Sequence, residues 1–211
     1  MKLSTRNALA IAAQVLVAAL TAYAISIFFT SGGEGNMQVA GWRAFRYFTI
    51  DSNVLAALAG LVCIPYEIRA LKTGEETLPH WALILYYVGA VAVSVTMVVT
   101  VAFLGPIYGY PAMFVGVNFF LHGLNPILCI LTVMFLLRGP IRLREAWLCV
   151  IPVVVYGAVY FVQVVVIGYE NGGWPDFYAF NVNGMWYLAL IIIGLLAFLL
   201  GVIERLPHRT R

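Results

Sequence analysis

Charge is scarce in this chain. Asp, Glu, Lys and Arg make up only 10% of its 211 residues, while 63% are hydrophobic, against roughly 25% and 45–50% in ordinary soluble domains. That shortage excludes a soluble globular domain, and the length suits one compact membrane bundle. Cysteine is scarce too. Cys63, Cys129 and Cys149 each sit inside an apolar run and no C-x-x-C occurs, which disfavours a thiol oxidoreductase and leaves small packing residues. No Lys falls within an apolar run, so a retinal-type Schiff base is not expected. H-E-x-x-H, paired histidines and a carboxylate cluster are all missing, which argues against a zinc or di-iron membrane enzyme, and no metal or other cofactor is expected. The serine-hydrolase elbow G-x-S-x-G and the Walker motif are absent as well. Basic residues are dispersed, so nucleic acid is not an expected partner.

What the chain has is six apolar runs, at 8–29, 44–68, 80–104, 116–137, 145–168 and 183–203. Each approaches the ~20 residues needed to cross the hydrocarbon core. The expectation is an all-α polytopic membrane protein, a single bundle of six transmembrane helices, with no loop long enough to be a domain and no internal repeat. The first run follows a basic start as a signal peptide does, but it is long enough to span and reads as a retained helix. With both termini cytoplasmic, Lys2, Arg6, Arg69, Lys72, Arg138, Arg142, Arg144, Arg205, Arg209 and Arg211 share one side, and only Arg43 and Arg46 fall on the other. The positive-inside rule therefore predicts an N-in, C-in topology.

That topology gathers the unusual polar residues in the extracytoplasmic half. The second run opens with "RYFTIDSN". At about 100° per residue, Arg46, Thr49, Ser52 and Asn53 form one stripe and Asp51 faces elsewhere. The fourth run carries "NFFLHGLNPILC", in which Asn118, His122 and Asn125 recur at i, i+4 and i+7 and share a face. Pro126 lacks an N–H and is expected to bend the helix by freeing the carbonyl of His122. His122 is the one histidine inside a predicted span, since His80 and His208 lie at span ends. Ionisable groups at such depth are usually functional. Counting inward from the span ends puts His122 about 6 Å below the outer edge. Thr49 lies near that edge, within reach once ordinary tilts are allowed. Tyr156, Tyr160 and Gln163 form a further stripe on the fifth run, offering hydroxyl and amide donors. Thr96 and Thr100 read as interhelical glue. Trp174, Tyr178, Trp186 and Tyr187 read as an aromatic belt.

"FRYFTIDSNVLAAL", "LHGLNPILCILTVMF" and "GGWPDFYAFNVNG" resemble the predicted six-transmembrane membrane proteins of bacteria, a group similar to the eukaryotic androgen-induced membrane proteins. The resemblance covers the six-span layout and implies residence in a bacterial inner membrane. In the eukaryotic relatives an intramembrane threonine and histidine hydrolyse fatty acid esters of hydroxy fatty acids. Thr49 and His122 are the matching positions here. One position departs from the pattern, because Asp51 stands where an apolar or amide residue is expected.

Such a pair implies an intramembrane lipid ester hydrolase or acyl-transfer enzyme, with a hydroxyl nucleophile activated by a neutral imidazole. Asn53, Asn118 or Asn125 would then hold the oxyanion or orient the ring, Arg46 would bind a substrate carboxylate, and Asp51 would join only if its face turns toward His122. Membrane lipids and an acyl-chain substrate are the expected partners, and the loop 169–182 is a candidate lid. The alternative is a non-catalytic lipid- or small-molecule-binding bundle or a small transporter, with Gly123 and Pro126 supplying the helix discontinuity that transporters use. Against transport, the halves show no repeat and the inner half is expected to lack ionisable groups.

Overall fold

The computed structural model describes residues 2–33 and 37–208; Arg209 and Arg211 of the basic count lie outside them. The described residues form helices and connecting turns, with no strand among them. Six helices are long and apolar enough to cross a membrane, as an integral membrane protein requires. They are α1 (Leu3–Thr30), α2 (Phe48–Thr73), α3 (His80–Tyr108), α4 (Val117–Leu136), α5 (Leu143–Ile167) and α6 (Trp186–Glu204).

α3 is the most buried of the six, and α5 and α6 are the least. It packs against α2, α4 and α6, while α1 lies against α2 and α4. Small residues let these axes approach. A Cβ on Gly89 would sit 2.9 Å from the Cα of Ala56, so α2 and α3 touch backbone to backbone where that glycine lies. With no hydrophobic gain available between helices in lipid, this kind of close packing is what holds them together.

Three local departures from a regular helix place the polar residues. First, α2 begins at Phe48 rather than at 44. Tyr47 is extended (φ −97°, ψ 126°), and Gly41–Arg46 forms a separate 3₁₀ turn. Second, α4 widens into a π-turn over Phe120–Leu124, where the Asn125 N–H bonds the Phe120 carbonyl. Pro126 therefore produces a bulge at His122, of the kind often found at functional sites. Third, Tyr110–Phe114 forms a short helix between α3 and α4, and the chain reverses at Gly116 (φ 56°, ψ −130°). A side chain would clash in that conformation. The reversal brings the carbonyl of Met113 over the π-turn.

The segment between α5 and α6 folds back onto the bundle. Asp176 accepts hydrogen bonds from the N–H groups of Phe180 and Asn181, both at 2.9 Å, around Ala179, which has φ 53°. That turn packs Tyr178 against Tyr160, with Trp174, Phe177 and Phe180 alongside and Tyr47 and Phe48 opposite. Trp174 and Tyr178 thus belong to a packed roof rather than to an aromatic belt. Tyr187 is exposed, and Trp186 stacks on Phe161.

Candidate active site

Thr49 and His122 meet. The Thr49 Oγ1 lies 3.2 Å from His122 Nε2, and both residues are buried. The other ring nitrogen, Nδ1, lies 2.7 Å from the Met113 carbonyl. A carbonyl oxygen only accepts, so Nδ1 carries the proton and Nε2 presents its lone pair. The Thr49 hydroxyl is therefore the donor and His122 the acceptor. Hydroxyl, imidazole and backbone carbonyl are thus linked in series, an order that a nucleophile, a base and an orienting group would need.

The asparagines hold the frame around this line. Asn53 donates both amide hydrogens to backbone carbonyls, to Thr49 at 2.8 Å and to Leu121 at 3.1 Å, tying α2 to α4. Asn125 donates to Asn53 Oδ1 at 2.9 Å and to Thr21 Oγ1 at 3.1 Å, which brings in α1. With both hydrogens committed, neither amide has one left for an oxyanion. Asn118 donates to the Ala112 carbonyl at 3.4 Å, fixing the short helix that carries Met113. These three side chains orient the site. Ser52 bonds Thr96 Oγ1 at 2.9 Å, joining α2 to α3.

Two charged candidates turn away. Asp51 lines a separate groove with Phe45, Pro152, Tyr156 and Trp174, facing α5 rather than α4. It cannot be the third member of the line, and Met113 stands there instead. Arg46 lies in the 3₁₀ turn before α2, so the stripe it was expected to share with Thr49 breaks at Tyr47. Its carbonyl accepts the Tyr156 hydroxyl at 2.7 Å.

On its other side Thr49 borders a partly open cavity between α2, α3, α5, α6 and the roof. No charged side chain lines it. Tyr156, Tyr160 and Tyr178 line it together with Thr49; Thr96 and Thr100 contribute hydroxyls, and Val164, Leu190 and Ile193 are among its apolar residues. Arg46 and Gln163 do not line it; the Gln163 carbonyl accepts the Trp174 N–H at 3.3 Å. This lining suits an apolar ligand with a few fixed polar contacts.

The opposite half of the bundle is not free of ionisable groups, contrary to the expectation above. Glu67 is buried and accepts from Gln14 Nε2 at 2.9 Å. Glu204 is buried against the Ser94 hydroxyl at 2.6 Å, and Arg6 pairs with Glu76. Gln14 inside the first apolar run and Glu67 inside the second were the visible signals. His208, buried near the end of the chain, places its ring nitrogens 2.8 Å and 2.7 Å from the carbonyls of Gly139 and Val133. The three cysteines are buried and unbridged. Among the described residues no group of three His, Cys, Asp or Glu side chains is placed to hold a metal ion.

Comparison of the chain with family models, with curated proteins and with solved structures finds no match.

Proposed function

We propose that the protein is an intramembrane hydrolase of lipid carboxylic esters, with Thr49 as nucleophile and His122 as general base. The observation that carries this reading is the buried Thr49–His122 contact at 3.2 Å, with the imidazole held by Met113 in the tautomer that can accept the hydroxyl proton. In the first step the Thr49 oxygen bonds to the ester carbonyl carbon while its proton passes to His122 Nε2. The tetrahedral intermediate then expels the alcohol, which takes that proton, and leaves an acyl group on Thr49. Water, activated by His122 in the same way, releases the fatty acid.

The uncharged cavity beside Thr49 receives the acyl chain. Fatty acid esters of hydroxy fatty acids fit this scheme if their free carboxylate stays outside that cavity. The bundle sits in a bacterial inner membrane with both termini cytoplasmic, which puts Thr49 and His122 in the outer half, where an acyl chain enters from the lipid. The purified protein in nanodiscs should hydrolyse long-chain esters, and Thr49→Ala should abolish the activity while the fold is retained. Hydrolysis that survives in both Thr49→Ala and His122→Ala would sink the proposal.

A small transporter is the second reading, favoured by the buried carboxyl groups of Glu67 and Glu204 in the other half. Substrate flux in proteoliposomes, abolished by Glu67→Gln but not by Thr49→Ala, would select it.

A further inference from the structure

The hydrolase reading needs a donor for the oxyanion that forms when an ester carbonyl reacts, and Asn53 and Asn125 have none to give. Three phenols share the cavity wall with Thr49. Each has one hydrogen. Tyr156 places its own on the Arg46 carbonyl at 2.7 Å, and Tyr160 donates to Asp176 Oδ1 at 2.8 Å. Tyr178 differs: its oxygen accepts the Phe48 N–H at 3.1 Å. That bond sets its hydroxyl at the residue before Thr49, on the cavity wall the two side chains share.

From these contacts we infer that the Tyr178 hydroxyl stabilises the oxyanion at Thr49, and that Asp176 and Tyr160 are positioning residues that hold it there. The inference rests on the hydrolase reading of the site. The Phe48 N–H belongs to the first turn of α2, where the helix dipole favours negative charge, and accepting it makes the phenol a stronger donor. Burial pushes the Tyr178 phenol above its ordinary range, so it stays protonated at neutral pH; polar contacts such as that with the Phe48 N–H offset only part of that effect.

Positioning comes from the roof. Asp176 accepts the N–H groups of Phe180 and Asn181 and the Tyr160 hydroxyl, and the same Tyr160 oxygen accepts the Tyr178 N–H at 3.1 Å. The carboxylate thus fixes the turn and the phenol that anchors the backbone of Tyr178. In the reaction the carbonyl π pair moves onto oxygen as the Thr49–carbon bond forms. Tyr178 donates a hydrogen bond to that oxygen and keeps its proton. The pair returns as the alcohol leaves, taking the proton from His122.

The test is steady-state ester hydrolysis by the full chain in nanodiscs. Tyr178→Phe should lower kcat by about 10²-fold or more, the usual effect of removing one oxyanion donor, with KM changed less than about threefold. Tyr160→Phe and Asp176→Asn should lower kcat by roughly tenfold at unchanged KM, a split that a merely structural role would not give. Should Tyr178→Phe lose its fold, Tyr178→3-fluorotyrosine keeps the shape and alters the donor strength. Unchanged kcat in that variant, or in Tyr178→Phe, overturns the inference. If Tyr178→Phe is fully active and Thr49→Ala is dead, only the donor assignment fails. If Thr49→Ala is as active as the wild type, the hydrolase reading falls and the inference falls with it.

Discussion

Whether Thr49 and His122 act as one unit is decided by a double-substitution cycle. Thr49→Ala removes the nucleophile. His122→Gln removes the base while keeping an amide that can still donate to the Met113 carbonyl. A positioned general base contributes about 10²–10⁴ in rate; taking 10³, His122→Gln raises the barrier by about 4 kcal/mol, at 1.36 kcal/mol per decade. Loss of Thr49 costs at least as much, because the imidazole then has no hydroxyl to activate. Residues that act as a unit are not additive. The double variant should therefore be no slower than the slower single one, a coupling of about 4 kcal/mol. Independent contributions would multiply instead, to a loss of about 10⁶.

The assay is hydrolysis of a fluorogenic acyl ester in nanodiscs, read as kcat/KM for the four proteins. Stability must be followed beside it. Removing the Thr49 hydroxyl leaves buried His122 Nε2 without its donor, about 1–3 kcal/mol by soluble-protein measure and about 0.6 kcal/mol for an average hydrogen bond in a membrane bundle. The protein should stay folded. Multiplicative losses in folded variants would refute the idea that the 3.2 Å contact is a catalytic pair.

Further outcomes follow from the frame. Asn53→Ala and Asn125→Ala should each destabilise the bundle by about 1–3 kcal/mol, because buried carbonyls at Thr49 and Leu121 or the Thr21 hydroxyl lose their donor. Their effects should be less than additive in denaturant unfolding, since the two amides bond each other. Gly89→Ala forces a Cβ to 2.9 Å from the Cα of Ala56 and should cost about 1–3 kcal/mol by separating α2 from α3, seen as a lower Tm. Asp51→Asn should leave kcat within about twofold, because Asp51 faces the α5 groove; a loss comparable to that of His122→Gln would return Asp51 to the chemistry.

Much of the scaffold was visible in the sequence, because spans are set by runs of about 20 apolar residues, and hydropathy reads those directly. The polar stripes on the second and fourth runs also marked the residues that meet, since face and depth follow from helical geometry. What periodicity missed were the non-helical pieces. Projecting Arg46 onto the same helix as Thr49 failed because the chain is extended at Tyr47. Met113 was invisible because its contribution is a backbone carbonyl, and any residue supplies one; the signals were Gly116 and Pro126, which bend the chain around it. Tyr178 was hidden among aromatics that look alike in sequence, whether they face lipid or roof a cavity. Asp176 was the clue there, an acidic residue whose carboxylate organises the turn over α5.

Activation of the Thr49 hydroxyl by His122 can be read from peptide mass mapping after treatment with an alkyl fluorophosphonate. One adduct is expected, on the Thr49 oxygen, formed quickly in the wild type and lost or greatly slowed in His122→Gln. An adduct on another residue, or undiminished labelling of Thr49 in His122→Gln, would contradict it.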